Sequence, residues 1–210
     1  MHIPDGFLSP PTWGTAAALS GGYLAAAVRR LTRQLEERQV AQVGIMTAFI
    51  FAAQMLNFPV APGASGHFLG GALAALLFGP WQASLMMTVI LVIQAFVFLD
   101  GGITALGANV LNMAVIAPWV SWGIVRAVGR RMGRSAAVFL AAWCSVVAAA
   151  LACGLELSLS GAAEWRLALS AMAGWHVLIG IGEGLITMVV LTYLRRIGFA
   201  SGEGGQDDGR

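Results

Sequence analysis

The chain has 210 residues, of which 58% are hydrophobic and only 10% charged, with a mean hydropathy of +0.78. That balance lies far from the soluble norm and identifies an integral membrane protein, all-α and polytopic. All twelve basic residues are arginine; a P-loop needs a lysine, so ATP hydrolysis by that route is excluded, and no basic patch interleaved with aromatics supports nucleic-acid binding.

The chain opens Met1-His2-Ile3-Pro4-Asp5-Gly6. A histidine in second place lets the Met1 amine, the His2 backbone nitrogen and the His2 imidazole close fused chelate rings on one divalent ion. Such a nitrogen set suits Ni(II) or Cu(II) in tetragonal geometry and leaves one corner for a ligand from elsewhere. The opening lacks a basic n-region and is broken by Pro4, Pro10 and Pro11, so it is not read as a signal peptide and Met1 is expected to be retained. Asp5 lies just beyond the chelate, where it either steers a cation or pins the loop; pinning is the plainer reading.

Seven spans are expected at roughly 12–31, 40–57, 67–79, 81–99, 104–125, 135–156 and 172–194. No charged residue occurs from Gln39 to Leu99, and Gly79-Pro80 divides the long stretch 67–99, proline being tolerated at the start of a helix. Arginines cluster after the first, fifth and seventh spans. With the N-terminus outside, seven spans put all three clusters in the cytoplasm, as the positive-inside rule requires. Residues 1–196 thus read as one transmembrane domain and 197–210 as a disordered cytoplasmic tail, rich in glycine and polar residues.

His67 falls in an outside loop, Pro62-Gly63-Ala64-Ser65-Gly66-His67, on the same face as the N-terminus. It is either the missing fourth ligand, with Ser65 beside it, or a residue that caps a glycine-rich turn. His176 and Glu183 are seven residues apart on one helix face, about 10 Å from each other. An ionisable group at the depth of Glu183 is functional by default; the bland alternative is a structural pair bonded to Asn109, Asn112 or Gln94. Asn109 and Asn112 lie three apart on the fifth span, where amides commonly fix helix packing. Ala17, Gly21 and Ala25, Gly71, Ala75 and Gly79, and Gly180 with Gly184 form small-residue stripes suited to close helix contact. Cys144 and Cys153 read as small core residues, and the tryptophans near span ends as interfacial anchors.

The start Met1-His2-Ile3-Pro4-Asp5-Gly6-Phe7, Gly66-His67, Leu106-Gly107-Ala108-Asn109 with Asn112-Met113, and His176 through Gly182-Glu183-Gly184 together resemble the CbiM/NikM family. These are the metal-binding S components of energy-coupling factor (ECF) transporters for cobalt and nickel. The resemblance runs from Met1 to about Arg196. It implies a seven-helix bundle in the inner (plasma) membrane, with the N-terminus carried into a central site. It further implies planar coordination by the Met1 amine, the His2 amide nitrogen, the His2 imidazole and the His67 imidazole, with no resident cofactor. The implied partners are a membrane coupling (T) subunit, ATP-hydrolysing ABC subunits and a small accessory membrane subunit. Ile3-Pro4-Asp5 in place of the Met-Glu of cobalt-type members, and the lack of a Ser-His-Pro sequence near His67, lean toward nickel. The chain is thus read as a capture protein rather than an enzyme. The rivals are a secondary transporter with His176 and Glu183 as proton relay, and a membrane metalloenzyme using His67 and His176.

Overall fold

A computed structural model describes residues 1–31, 37–61 and 64–199. Among the described residues seven helices follow an extended opening segment: α1 (Pro10–Leu31), α2 (Glu37–Gln54), α3 (Gly71–Phe78), α4 (Pro80–Val97), α5 (Leu106–Met132), α6 (Arg134–Leu159) and α7 (Trp165–Arg196). A short antiparallel hairpin, β1 (Phe58–Ala61) with β2 (Ala64–Gly66), pairs Phe58 with Gly66 and Pro59 with Ser65 between α2 and α3. The described residues are therefore all-helical apart from this hairpin.

Helices α4, α5, α6 and α7 are long and apolar enough to cross a membrane. The multi-pass reading follows from these four. The expected third span is shorter than its sequence suggested. Only eight residues, Gly71–Phe78, are helical, about 12 Å of rise against a hydrocarbon core of about 30 Å. Residues 67–70 are held out of the helix because Leu69 and Gly70 give their N–H groups to the Glu183 carboxylate, both at 2.7 Å. Gly70 also sits at φ 75, the left-handed region that favours glycine. Gly79, at φ 82, breaks α3 from α4, and Pro80 opens α4.

Helix α5 widens to a π-helix over Leu111–Ile116. The cause lies two residues on: Pro118 has no N–H to give Ala114 and its ring would meet that carbonyl. The chain answers by bonding Ala117 N–H to the Asn112 carbonyl, one residue further back than an α-helix would. Asn109, Asn112, Met113 and Ala114 all face the interior.

The long pair α6–α7 is closed by glycines. A β-carbon at Gly180 would lie 2.9 Å from Trp143 Cδ1, and one at Gly184 2.6 Å from Phe139 Cδ2. Gly71 likewise faces the Met113 carbonyl at 3.3 Å. On α1 only the head of the small-residue stripe meets a neighbouring helix closely: a β-carbon on Gly107 would lie 2.7 Å from Ala17 N, whereas one on Gly21 would meet nothing within 4 Å, and Gly21 and Ala25 are exposed. Trp81 and Trp119, expected as interfacial anchors, both engage Tyr23. Trp81 stacks on Tyr23 at 5.0 Å, and Trp119 Nε1 donates to Tyr23 Oη at 2.7 Å. Of the expected tail, residues 197–199 continue α7 as a turn with Phe199 against the core; residues 200–210 lie outside the described residues.

Candidate metal site

The opening segment runs into the bundle instead of along its surface. Met1, His2 and Ile3 are buried, while Pro4 to Gly6 return to solvent. Burying Met1 and Ile3 supplies about 1.5–3 kcal/mol each, which draws the segment inward. Directional bonds then fix its register. Ile3 N–H donates to Asn109 Oδ1 at 2.8 Å, and Asn109 Nδ2 returns a bond to the Ile3 carbonyl at 3.1 Å. Gly102 N–H donates to the same carbonyl at 2.8 Å. Asp5 takes the N–H groups of Ile103 and Thr104 and the Thr104 hydroxyl, at 3.1, 2.8 and 2.5 Å. Those donors hold its carboxyl below the usual range. Asp5 pins the segment to the α4–α5 turn.

A chain of amides then sets the tautomer of His2. The Leu69 carbonyl can only accept, so Gln54 presents its NH2 to it, at 2.5 Å. Gln54 therefore offers Oε1 to Gln94 Nε2 at 3.0 Å. Gln94 is left to offer Oε1 to His2 Nε2, also at 3.0 Å. A side-chain amide oxygen cannot donate, so the ring proton is on Nε2 and the lone pair on Nδ1. This is the nitrogen that can share a six-membered chelate ring with the His2 backbone nitrogen. Burial lowers the pKa of the His2 ring and of the Met1 amine, the latter to about 5, which leaves both groups uncharged at neutral pH.

His67 is treated in the same way by its own backbone. Its Nδ1 donates to the Phe68 carbonyl at 2.7 Å, leaving Nε2 as a buried lone pair that meets no hydrogen-bond partner among the described residues. The His2 and His67 rings stack with centroids 4.6 Å apart and planes 16° from parallel. Stacked rings send their in-plane lone pairs along nearly parallel sheets, so one ring must tilt for both to close on one ion. Among the described residues no three His, Cys, Asp or Glu side chains group as metal ligands.

The other sequence candidates divide between holding this arrangement and standing apart from it. Both Glu183 oxygens are engaged by Leu69 and Gly70 N–H, so this carboxylate clamps the His67 loop and pairs with neither Asn109, Asn112 nor Gln94. His176 Nδ1 donates to the Met172 carbonyl at 2.8 Å, and its buried Nε2 meets no hydrogen-bond partner among the described residues. Asn112 turns away from the opening segment and donates to Glu156 Oε2 at 2.6 Å. Ser65 belongs to β2; its side chain lies outside the described residues. Cys153 Sγ stands 3.9 Å from the Met1 carbonyl.

A cobalt-uptake family model, the substrate-specific transmembrane region CbiM, matches residues 2–199. The chain belongs to the CbiM family. A putative fused nickel transport protein, NikMN, of Archaeoglobus fulgidus is 45% identical over 196 residues, covering 92% of this chain and 65% of that protein. This chain therefore spans about two thirds of that fused relative. A putative metal transport protein of Haloquadratum walsbyi is 41% identical, with 92% of this chain and 89% of that protein covered. The crystal structure of a truncated transition metal transporter superposes with a TM-score of 0.89 at 35% identity, covering 94% of this chain and 99% of that one. These relatives are named as transport proteins and not as enzymes.

For this CbiM-family chain, sequence reasoning missed Gln54 and Asp100, and read Gln94 only as a partner for the His176–Glu183 face. Gln54 and Gln94 carry a signal in retrospect, being uncharged but polar in the uncharged run from Gln39 to Leu99. Each buried amide there must find a partner. Asp100 closes that run, and its Oδ1 lies 3.3 Å from His2 Nδ1.

Proposed function

We propose that this chain is the substrate-binding membrane component of an ECF-type transporter, capturing Ni2+ or Co2+ from outside, with nickel favoured. The proposed ligands are the Met1 amine, the deprotonated His2 amide nitrogen, His2 Nδ1 and His67 Nε2. The observation that carries the proposal is the pair of hydrogen-bond networks that leave lone pairs on His2 Nδ1 and His67 Nε2, beside a buried N-terminus. Four nitrogens suit Ni(II) in a planar field. Loss of the amide proton lowers the net charge that the bundle must hold. The family membership and the names of the relatives support transport as the outcome.

The proposed topology has seven passes with the N-terminus outside, so that the arginine clusters face the cytoplasm. Energy comes from separate ATP-hydrolysing subunits through a membrane coupling subunit, with a small accessory membrane subunit in the assembly. The outward face of α1, with Gly21 and Ala25, and the arginine-bearing helix ends are the proposed docking surfaces. Uptake of radioactive nickel by cells carrying the full set of subunits tests the coupling. ATP depletion should abolish uptake while a protonophore at constant ATP leaves it in place. The reverse pattern would favour the His176–Glu183 relay and overturn the proposal.

A further inference from the structure

Asn112 and Glu156 stand apart from the metal site, yet both line a groove of about 640 Å³ between α1, α5 and α6. The groove lies at the end of the bundle that carries the opening segment. Ser9 and Thr12 line it where α1 begins, and Glu156 lies three residues from the end of α6. Leu19, Ile116 and Leu155 line its apolar part. From Ser9 to Leu19 it follows α1 for about 15 Å, half of a hydrocarbon core of about 30 Å. Polar groups at one end and an apolar trough one leaflet deep match the build of a single lipid molecule.

The polar end has acceptors in excess. Asn112 Nδ2 donates to Glu156 Oε2, while Asn112 Oδ1 is buried and meets no hydrogen-bond partner among the described residues. Glu156 is only 8% exposed. Among the described residues Asn112 is the one side chain bonded to its carboxylate, and no basic side chain pairs with it. An ionised carboxyl offers about four lone-pair sites, and burying one with a single neutral partner is costly. Asn112 also stands in the π-helical turn of α5, a feature that recurs at functional sites. The unmet groups are both acceptors, so their complement is a cation with several N–H donors. A metal ion would need more ligands than the one carboxylate and one amide gathered here.

We infer that this groove binds one phospholipid whose headgroup carries a primary ammonium, as phosphatidylethanolamine does. The ammonium donates to Glu156 and to Asn112 Oδ1, and an acyl chain lies along Leu19, Ile116 and Leu155. Ser9 Oγ and Thr12 Oγ1 are 3.0 Å apart; whichever hydroxyl accepts in that pair keeps its own proton for the lipid phosphate. A lysine on a partner's transmembrane helix shares the ammonium chemistry, but such a helix crosses both leaflets and needs a groove about twice this length. The assignment is independent of the metal site and gives Asn112 and Glu156 a ligand of their own.

The purified chain, reconstituted into vesicles of equal phosphatidylethanolamine and phosphatidylcholine with identical acyl chains, can be released for native mass spectrometry. It should retain one phosphatidylethanolamine per chain. Phosphatidylcholine carries a quaternary ammonium with no N–H to donate, and should be retained about tenfold less. Glu156→Gln should bring the two lipids to within about twofold of each other. Glu164→Gln removes an exposed acid that caps α7 through Leu167 N–H, and should keep the native preference. Equal retention of both lipids by the native chain would overturn the inference. So would an unchanged preference in a Glu156→Gln chain that elutes as the native protein does. If that variant does not fold, the native chain in vesicles of mono- and dimethylated phosphatidylethanolamine decides: retention should fall as N–H donors are removed, and a flat series would overturn the assignment. Loss of a co-purified membrane subunit from Glu156→Gln, with no lipid preference in the native chain, would give the groove to a basic side chain of that subunit and overturn it as well.

Discussion

Gly102→Ala probes the seating of the opening segment without touching any proposed ligand. A β-carbon at position 102 would lie 2.6 Å from Asp5 Oδ1, 2.7 Å from the Pro4 carbonyl carbon and closer still to Asp5 N. Ordinary contacts between carbon and other heavy atoms begin near 3.5 Å, so Pro4–Asp5 must retreat by about 0.8–1 Å. Gly102 has no left-handed φ, so alanine meets no backbone penalty and the effect is purely steric. Retreat strains the Gly102–Ile3 and Asp5–Thr104 bonds, and overpacking of this kind costs about 1–3 kcal/mol. The larger effect falls on binding. A shift near 1 Å passed to His2, two residues upstream of Pro4, exceeds the roughly 0.5 Å tolerance of a preorganised site. Nickel affinity of the detergent-purified chain, measured by isothermal titration, should fall by about 100-fold, while thermal unfolding of the metal-free protein shifts by only a few degrees. Unchanged affinity would refute the claim that the segment's depth is set by its contact with the α4–α5 turn.

Glu183→Gln replaces one of two accepting oxygens by an NH2 that faces a backbone N–H; the lost charge-assisted bond is worth about 1.5–3 kcal/mol, read as a lower melting temperature together with weaker nickel binding through the loosened His67 loop. Native stability with abolished uptake would instead mark Glu183 as a proton carrier. Gln94→Leu removes the acceptor that holds the proton on His2 Nε2, and should weaken nickel binding about tenfold; equal affinity in a competition assay would show that the tautomer is set elsewhere. Burial puts the Met1 amine at about 5, so protons compete with the ion at this group only as pH falls through that value, well below the pH 6.5 to 7 expected of an exposed amine and imidazole. Between about pH 6 and 8 only the His2 amide proton should be released, giving about tenfold in affinity per pH unit. A slope of two or three protons in that window would mean that the amine is charged in the metal-free protein.

Part of this arrangement can be read from the sequence because it is local. Gly79-Pro80 marks a helix break, the uncharged run from Gln39 to Leu99 marks apolar helices, and a histidine at position 2 singles out the opening segment that the fold buries. What could not be read depends on partners distant in sequence. The apolar pattern around 67–79 continues the helix back to His67, and only Glu183, 113 residues beyond Gly70, takes the N–H groups that stop it. The amide chain from Leu69 through Gln54 and Gln94 to His2 joins four segments, and each link has meaning only when the others are in place. Asp100 reads as an ordinary turn residue, because the positive φ of Leu99 that aims it at His2 leaves no mark in composition. Pro118 is visible, but the π-helix it forces in the turn that carries Asn112 is not.

The central claim is that the start of the chain is itself the metal site, and the measurement that tests it most directly is metal content. Native protein and protein with one alanine between Met1 and His2, purified in parallel after growth in equal nickel and cobalt, should be compared by mass spectrometry. The account predicts close to one nickel per native chain and almost none in the inserted form, whose amine, amide and imidazole no longer form the same fused rings. Equal metal in both would contradict it and move the site to His67 and His176.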